Sequence, residues 1–519
     1  MAIVQAVLAL VAACVAFALL ARRFNLPYAV ILVIGGSILA FVPGVPEVTL
    51  DPELALAFFV PPLLQASAWR TDWRAFRANL RPILLLAVGA VLFTAFAVGA
   101  FARWLAPELS WAAAIALGAI VAAPDAVAAA AVLKPLSIPR RIVVVLLGES
   151  LVNDATALVL YRFAIAAAAA GAVSWGGAAV SFLLVAAGAV LVGWAVGRAA
   201  IWAIGRLHDT LLDIAVSFIA CFASFFLAEA LHVSGVVAVV ATGLTMGQLQ
   251  HRVLTPRTRL EARIVWEFAE FLLTSLVFIL VGLQLEGILE RLSGRGTLEL
   301  AGLALGVSLA LIVSRFIWVF PVAWLERLLP GAGREPAPSW RHLTVISWSG
   351  MRGVVSLAAA LALPLGFPER DLIVFLAFCA IMATLVLQGT TLGWVIRRLG
   401  VEEPRVDAMP REEAVARRVV AQATFAEVQT RAEDVLEGPV AHDLLSEYRD
   451  KARVFHGVAD GGGRAELEAR MRIRLAALRA GRTALLRHHQ DDGLGDEVLA
   501  ALEEELDLEE LRILRLLRG

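Results

Sequence analysis

The chain has 519 residues, 60% of them hydrophobic and 18% charged, with a formal net charge of −1 at pH 7. A mean hydropathy of +0.79 is far outside the range of a water-soluble globular domain. The composition describes a membrane protein, and the charge balance gives no sign of a nucleic-acid partner.

Apolar stretches, each long enough to cross a bilayer of about 30 Å as a helix, recur up to residue 398. About thirteen are expected, at roughly 2–21, 27–43, 52–69, 82–105, 109–133, 142–168, 175–204, 211–230, 233–249, 264–285, 298–325, 342–364 and 371–396. The first has no basic residue before it and is followed by Arg22 and Arg23, so it reads as a retained helix rather than a cleaved signal. Alternate loops, from Arg22 and Arg23 through Arg252 to Arg263 and on to Arg397 and Arg398, hold 20 of the 27 basic residues before residue 403. The positive-inside rule then places the N-terminus outside and the C-terminus in the cytoplasm, which requires an odd number of spans. Cys14, Cys221 and Cys379 lie in apolar spans without a paired motif and read as small buried hydrophobes.

Two spans are interrupted. In "AIVAAPDAVAAAAVL" of the fifth, Pro124 lacks an N–H and clashes with the carbonyl at Ile120, so the helix should open there. Carbonyls near 120–123 then need other partners, and Asp125 can cap the new helix start. In "ISWSGMRGVVSLAAALALP" of the twelfth, Gly350 and Gly353 flank Arg352 and allow a similar opening. Paired broken helices in distant parts of a chain point to a transporter's midplane site and to inverted repeats.

The sixth span carries "GESLVNDATALVLYRF", residues 148–163. An acid at the bilayer centre costs about 2.5–3.5 kcal/mol. Asp154 stands about 18 Å along the helix from Ile142, near mid-membrane. Ser150 and Asp154 share one stripe of the helix and Glu149 and Asn153 the adjoining one, so one stripe can face a cavity and the other a protein partner. The intramembrane basic residues are Arg352, Arg315 and Arg162. Glu149 is expected to pair with Arg352, with Arg315 as the alternative, in a structural ion pair. Asp154 is left with a hydroxyl, an amide and loose carbonyls, hard oxygen ligands suited to an alkali cation and not to a transition metal. Such a carboxylate can hold either a proton or a cation, and mutual exclusion at one site is the basis of exchange.

Hydropathy collapses at residue 403. The tail, with breaks at Gly438-Pro439, Gly461-Gly462-Gly463 and Gly493, reads as three or four amphipathic helices serving as a regulatory or dimer-stabilising appendage. It carries 18 basic and 24 acidic residues, against 27 and 22 in residues 1–402.

The motifs "GESLVNDATALVL", "APDAVA", "SGMRGVVSLA", "LHVSGVVAVVATGL" and "LVFILVGLQL" resemble, in this order, the monovalent cation/proton antiporters of the NhaP and sodium/proton exchanger type. The resemblance covers about residues 1–400. It implies an all-α polytopic membrane protein of about 13 helices with inverted repeats and two interrupted crossing helices. Residues 1–402 would form a transmembrane antiporter domain with dimerisation and core parts, and 403–519 a helical cytoplasmic tail. It further implies a homodimer in the cell membrane that exchanges Na+ for H+ by elevator-like alternating access, electroneutrally where Asn153-Asp154 is present. Asp154 and Ser150 would be cation ligands, together with the carbonyl of Pro124 and with Asp125. Asn153 would orient the core, and Glu149 with Arg352 would be the ion pair. Two departures stand out: "PPLLQAS" puts Gln65 where the family often has an acid, and "FLLTSLVFIL" puts Thr274 and Ser275 where Asn is common.

Asp213, Glu229, Glu267 and Glu270 read as helix caps or interface partners, and no histidine falls near the proposed site in the chain. Other classes fit less well. A channel calls for a continuous polar pore or a repeated filter segment. A sodium-coupled symporter of a small organic solute calls for more polar groups than the spans offer, and K+/H+ antiport remains open as a variant of the first reading. No P-loop and no His/Cys cluster is present, so neither an enzyme nor a cofactor is expected.

Overall fold

In the computed structural model, the described residues are 2–24, 26–42, 52–125, 129, 132–133, 136, 138–170, 175–292, 294–325, 339–364, 366–402, 411–432, 438–459, 464–490 and 496–518. Regular structure among them is helical throughout. The chain divides into two compact units, Met1–Glu403 and Pro404–Gly519.

The first unit begins with α1 (Ala2–Phe24), α2 (Tyr28–Ala40), α3 (Pro52–Trp69) and α4 (Trp73–Ala78). Next, α5 (Leu80–Leu84) runs through a π turn, Leu85–Ala90, into α6 (Val91–Leu105). There follow α7 (Trp111–Ala122), α8 (Arg140–Ala170), α9 (Trp175–Leu207), α10 (Thr210–Ala230), α11 (Gly235–Val253) and α12 (Pro256–Leu283). The unit is completed by α13 (Leu285–Arg291), α14 (Thr297–Leu325), α15 (Trp340–Trp348), α16 (Val354–Leu361) and α17 (Arg370–Ala383), which passes through a second π turn, Thr384–Gln388, into α18 (Gly389–Leu399).

The helix ends follow local chemistry. Ser110, Asp209 and Thr255 accept hydrogen bonds at 3.1, 3.0 and 3.2 Å from backbone N–H groups three residues on, at the starts of α7, α10 and α12. Gly400, at φ +62°, ends α18 after Arg397 and Arg398, a left-handed cap that glycine adopts without a Cβ penalty.

Seven helical stretches among the described residues are long and apolar enough to cross a membrane: Leu80–Leu105, Arg140–Ala168, Leu184–Leu207, Thr210–Ala230, Pro256–Arg291, Thr297–Leu325 and Arg370–Leu399. Each overlaps one of the expected spans. The fifth and twelfth do not appear as continuous helices, because both are cut. The fifth stops as α7 at Ala122, and the twelfth is divided into α15 and α16 by residues 349–353. The expected second half of the fifth span falls largely outside the described residues.

Two large buried apolar clusters, with two small ones beside them, build the unit among the described residues. The larger joins α6, α7 and α8 with α14 to α18 and parts of α1, α2 and α12. The other joins α3 to α9, α10 and α11 around Trp69 and Trp266. Trp266 stacks on Phe218 at 4.2 Å and donates to the Ser217 hydroxyl at 3.0 Å.

The second unit contains four helices among its described residues, α19 (Arg411–Arg431), α20 (Gly438–Ala459), α21 (Arg464–Gln490) and α22 (Asp496–Arg518). Its core includes Val454, Phe455, Leu467, Met471, Leu478 and Ile513. Ion pairs four residues apart, such as Arg464–Glu468 and Arg470–Glu466, lace its surface.

Candidate functional site

The two interruptions meet. The backbone N–H of Asp125 donates to the carbonyl of Met351 at 2.7 Å, joining the segment after α7 to the segment before α16. At the end of α7 the carbonyl of Ala122 accepts from an Nη of Arg352, and the carbonyl of Pro124 accepts from Asn153 Nδ2 at 2.7 Å. Opening a helix at a proline frees carbonyls that hydrocarbon cannot satisfy, and here a guanidinium and a carboxamide satisfy them.

The charges also match the helix ends. Arg352 stands at the carbonyl-rich, negative end of α7, and the Asp125 carboxylate stands beside Gly353, immediately before the positive start of α16. A Cβ on Gly353 would fall on that carboxylate, so the approach requires glycine. Arg352 is further anchored through its backbone N–H, which donates to Thr384 Oγ1 at 3.2 Å, at the start of the second π turn. Such turns are frequent at functional sites.

Helix α8 supplies the acids, and its two polar stripes separate by partner. Glu149, 1% exposed, receives a bidentate pair from Arg315 of α14, Nη1 to Oε1 at 2.6 Å and Nη2 to Oε2 at 2.7 Å. Arg315 Nε also donates to the Ile346 carbonyl at 3.2 Å. The expected pairing with Arg352 is thereby corrected: Arg352 is spent on the end of α7, and the guanidinium that fits both carboxylate oxygens is Arg315. Gly350 makes room for this, since a Cβ there would lie 2.7 Å from Arg315 Cδ. Asn153, on the same stripe and fully buried, holds Pro124.

The other stripe faces a cavity of about 50 Å³. Asp154 and Ser150 line it from α8, Ala123 and Asp125 from the break after α7, and Gly353, Val355 and Ser356 from the start of α16. The remaining wall is Val60, Leu63, Leu64 and Ser67 of α3, with Leu151 of α8 and Thr274 of α12. Space of this size holds an ion with a few waters. Of the expected ligands, Asp154, Ser150 and Asp125 therefore share one wall. Pro124 and Asn153 stand behind that wall, bonded to each other.

Gln65 is buried but does not line the cavity. Its Nε2 donates to the Ser217 carbonyl at 3.1 Å and to Met246 Sδ at 3.7 Å, tying α3 to α10 and α11. Sequence reasoning missed this orientation, although the i, i+3, i+4 spacing of Val60, Leu63, Leu64 and Ser67 already marks another face of α3 as the lining one. It also left open which of Arg352 and Arg315 takes Glu149, a matter of which helices are neighbours.

The comparisons agree with this architecture. Residues 7–398 match the family described as "Sodium/hydrogen exchanger, transmembrane". An uncharacterized Na+/H+ exchanger of Mycobacterium tuberculosis is 36% identical over 98% of this chain and 96% of its own length. The Na+/H+ antiporter ApNhaP of Aphanothece halophytica is 32% identical over 76% of this chain and 74% of its own. The solved structure of the sodium proton antiporter MjNhaP1 from Methanocaldococcus jannaschii superposes with a TM-score of 0.61 over 78% of this chain and all of that one, at 18% identity, a likeness of fold. The chain belongs to the transmembrane sodium/hydrogen exchanger family, a family of cation/proton antiporters and not of enzymes.

Proposed function

We propose that this protein is a secondary active antiporter that exchanges Na+ for H+ across the cell membrane by alternating access, with cation and proton competing for Asp154. The observation that carries this is the cavity at the meeting of the two broken segments, where Asp154, Asp125 and Ser150 converge while Glu149 is taken up by Arg315. Carboxylate and hydroxyl oxygens are hard ligands of the kind alkali cations take. The same carboxylate, once protonated, is neutral and loses its attraction for a cation. The loaded site therefore carries the same net charge in both halves of the cycle, which makes the exchange electroneutral.

In this reading Asp154 and Ser150 bind the cation, Asp125 adds a second carboxylate, and Asn153 holds the Pro124 segment in place so that Asp125 keeps its position. About thirteen spans with inverted repeats, an outside N-terminus, a cytoplasmic tail and a homodimer complete the proposal. They rest on the distribution of basic residues and on the family resemblance. A symporter of an organic solute is disfavoured by a cavity of about 50 Å³, too small for such a solute. K+ or Li+ as the exchanged ion differs from the first reading only in selectivity.

The test uses purified protein in liposomes, with internal pH followed by dye while Na+, Li+ or K+ is added, with and without a potassium-valinomycin clamp. Wild-type protein should move protons against at least one of these cations at a rate insensitive to the clamp, and Asp154→Asn should move none. Exchange that persists in Asp154→Asn removes Asp154 as the shared site, and a clamp-dependent rate removes electroneutrality.

A further inference from the structure

One buried hydroxyl in the cavity wall is unaccounted for. Thr274 of α12 is 1% exposed, lines the cavity, and its Oγ1 has no hydrogen-bond partner among the described residues. That is unlike Thr156, Thr242, Thr245, Thr384 and Thr391, which all donate to the carbonyl four residues back, at 2.5 to 3.3 Å. The helical backbone offers Thr274 the same bond. A buried hydroxyl that forgoes it is destabilising unless something else accepts or coordinates it. The α3 face of the same wall is Val60, Leu63, Leu64 and Ser67, so on this side of the cavity Thr274 is the fully buried oxygen.

We propose that the Thr274 hydroxyl is a direct oxygen ligand of the transported alkali cation and sets its affinity. The inference rests on the reading of the cavity as the cation site. The carboxylates and Ser150 come from α8 and the break after α7, and Thr274 adds a neutral hard oxygen from a separate helix, closing the coordination shell on the side where α3 contributes mainly hydrocarbon. Gln65, turned towards Ser217 and Met246, is not part of that shell. Cation binding thus bridges α8 and α12, and proton binding at Asp154 does not require α12. Loss of the hydroxyl therefore weakens cation binding selectively.

The experiment measures the apparent KM for Na+ and for Li+ in proteoliposomes containing wild type, Thr274→Val, Thr274→Ser, Ser275→Ala and Asp154→Asn. Thr274→Val keeps the shape and removes the oxygen. It should raise KM for Na+ about tenfold, with the loss falling on KM rather than on maximal rate, and Thr274→Ser should restore most of the affinity. Ser275 is the adjacent buried hydroxyl, likewise without a partner among the described residues, and is not in the wall, so Ser275→Ala should leave KM unchanged. If Thr274→Val does not accumulate in the membrane, Thr274→Ala carries the same reading. An unchanged KM in the oxygen-less variant, a loss confined to maximal rate, or an equal shift in Ser275→Ala overturns the assignment of Thr274. Exchange persisting in Asp154→Asn overturns instead the reading on which it rests.

Discussion

Glu149 and Asp154 lie on one helix, five residues apart, and both are withdrawn from water, at 1% and 7% exposure. Their surroundings differ. Glu149 gives both oxygens to Arg315, which itself is 3% exposed and holds a backbone carbonyl as well. Asp154 makes no ion pair with a basic residue among the described residues and lies on a cavity wall beside a second carboxylate and a hydroxyl. Burial alone therefore assigns neither acid its role. A carboxylate already neutralised by a forked guanidinium is fixed in one state, and one facing space and hard oxygens is free to change its occupant.

The contrast is broken most directly by comparing neutral isosteres at the two positions. Asp154→Asn is expected to abolish exchange with no loss of thermal stability, since it removes a buried charge that has no partner to be left behind. Glu149→Gln leaves Arg315 buried and charged with no counter-ion, a change that costs about 3–5 kcal/mol in comparable buried pairs. Its melting temperature in detergent should fall by several degrees, while the KM for Na+ of the protein that remains folded should move little. If Glu149→Gln kept wild-type stability and lost cation affinity, the two acids would have to exchange roles.

How much of this was legible in the sequence follows from what a sequence encodes. Hydropathy marked the positions of the seven continuous spans, and Pro124, Gly350 and Gly353 marked the two breaks, because these are properties of consecutive residues. Helical periodicity separated the Ser150/Asp154 stripe from the Glu149/Asn153 stripe for the same reason. The partner of Glu149 was not legible: Arg315 and Arg352 lie in different spans, and depth along a helix axis says nothing about which helix stands beside which. Nor was the hydrogen bond from Asp125 to Met351, a backbone contact across more than two hundred residues that no side-chain pattern announces. Gln65 shows the same limit, since a residue type aligned with an acid says nothing of the face it occupies. The π turns at Leu85–Ala90 and Thr384–Gln388 left no composition signal either, yet each is met by a partner from elsewhere, Trp318 Nε1 on the Leu85 carbonyl at 3.0 Å and the Arg352 N–H on Thr384.

A finer division of the same contrast concerns Asn153, which shares the protein-facing stripe with Glu149 but touches the segment that presents Asp125. Asn153→Ala removes the donor to the buried Pro124 carbonyl, a loss of about 1–3 kcal/mol. Because the carbonyl belongs to the residue before Asp125, both stability and cation affinity should fall, the stability by less than in Glu149→Gln. Thermal melts and Na+ titrations on the same preparation separate the two effects. A drop in stability with unaltered KM would place Asn153 wholly with the structural stripe.

The smallest expected effect lies away from the membrane interior, where an ion-pair cluster offers a reference for what an acid does in water. Glu108, in the turn between α6 and α7, accepts from Arg295 at 2.7 Å, and Arg295 also reaches Glu369 at 3.0 Å and Glu299 at 3.4 Å. The hydrogen bond from Arg295 holds the Glu108 carboxyl below the usual glutamate value. A carboxyl lowered on folding adds stability that is present above its ordinary value and is lost as the pH falls through the lowered one. With Glu108 39% exposed, solvent screening keeps the contribution below about 1 kcal/mol. Glu108→Gln should therefore melt slightly below wild type at neutral pH, and the gap should close as the medium is acidified past the glutamate range. A gap that stayed constant with pH would show that Glu108 acts through packing and not through its charge. Raised salt should narrow the gap as well, whereas salt should leave the deficit of Glu149→Gln unchanged, since the Glu149–Arg315 pair is out of reach of the ions that screen Glu108.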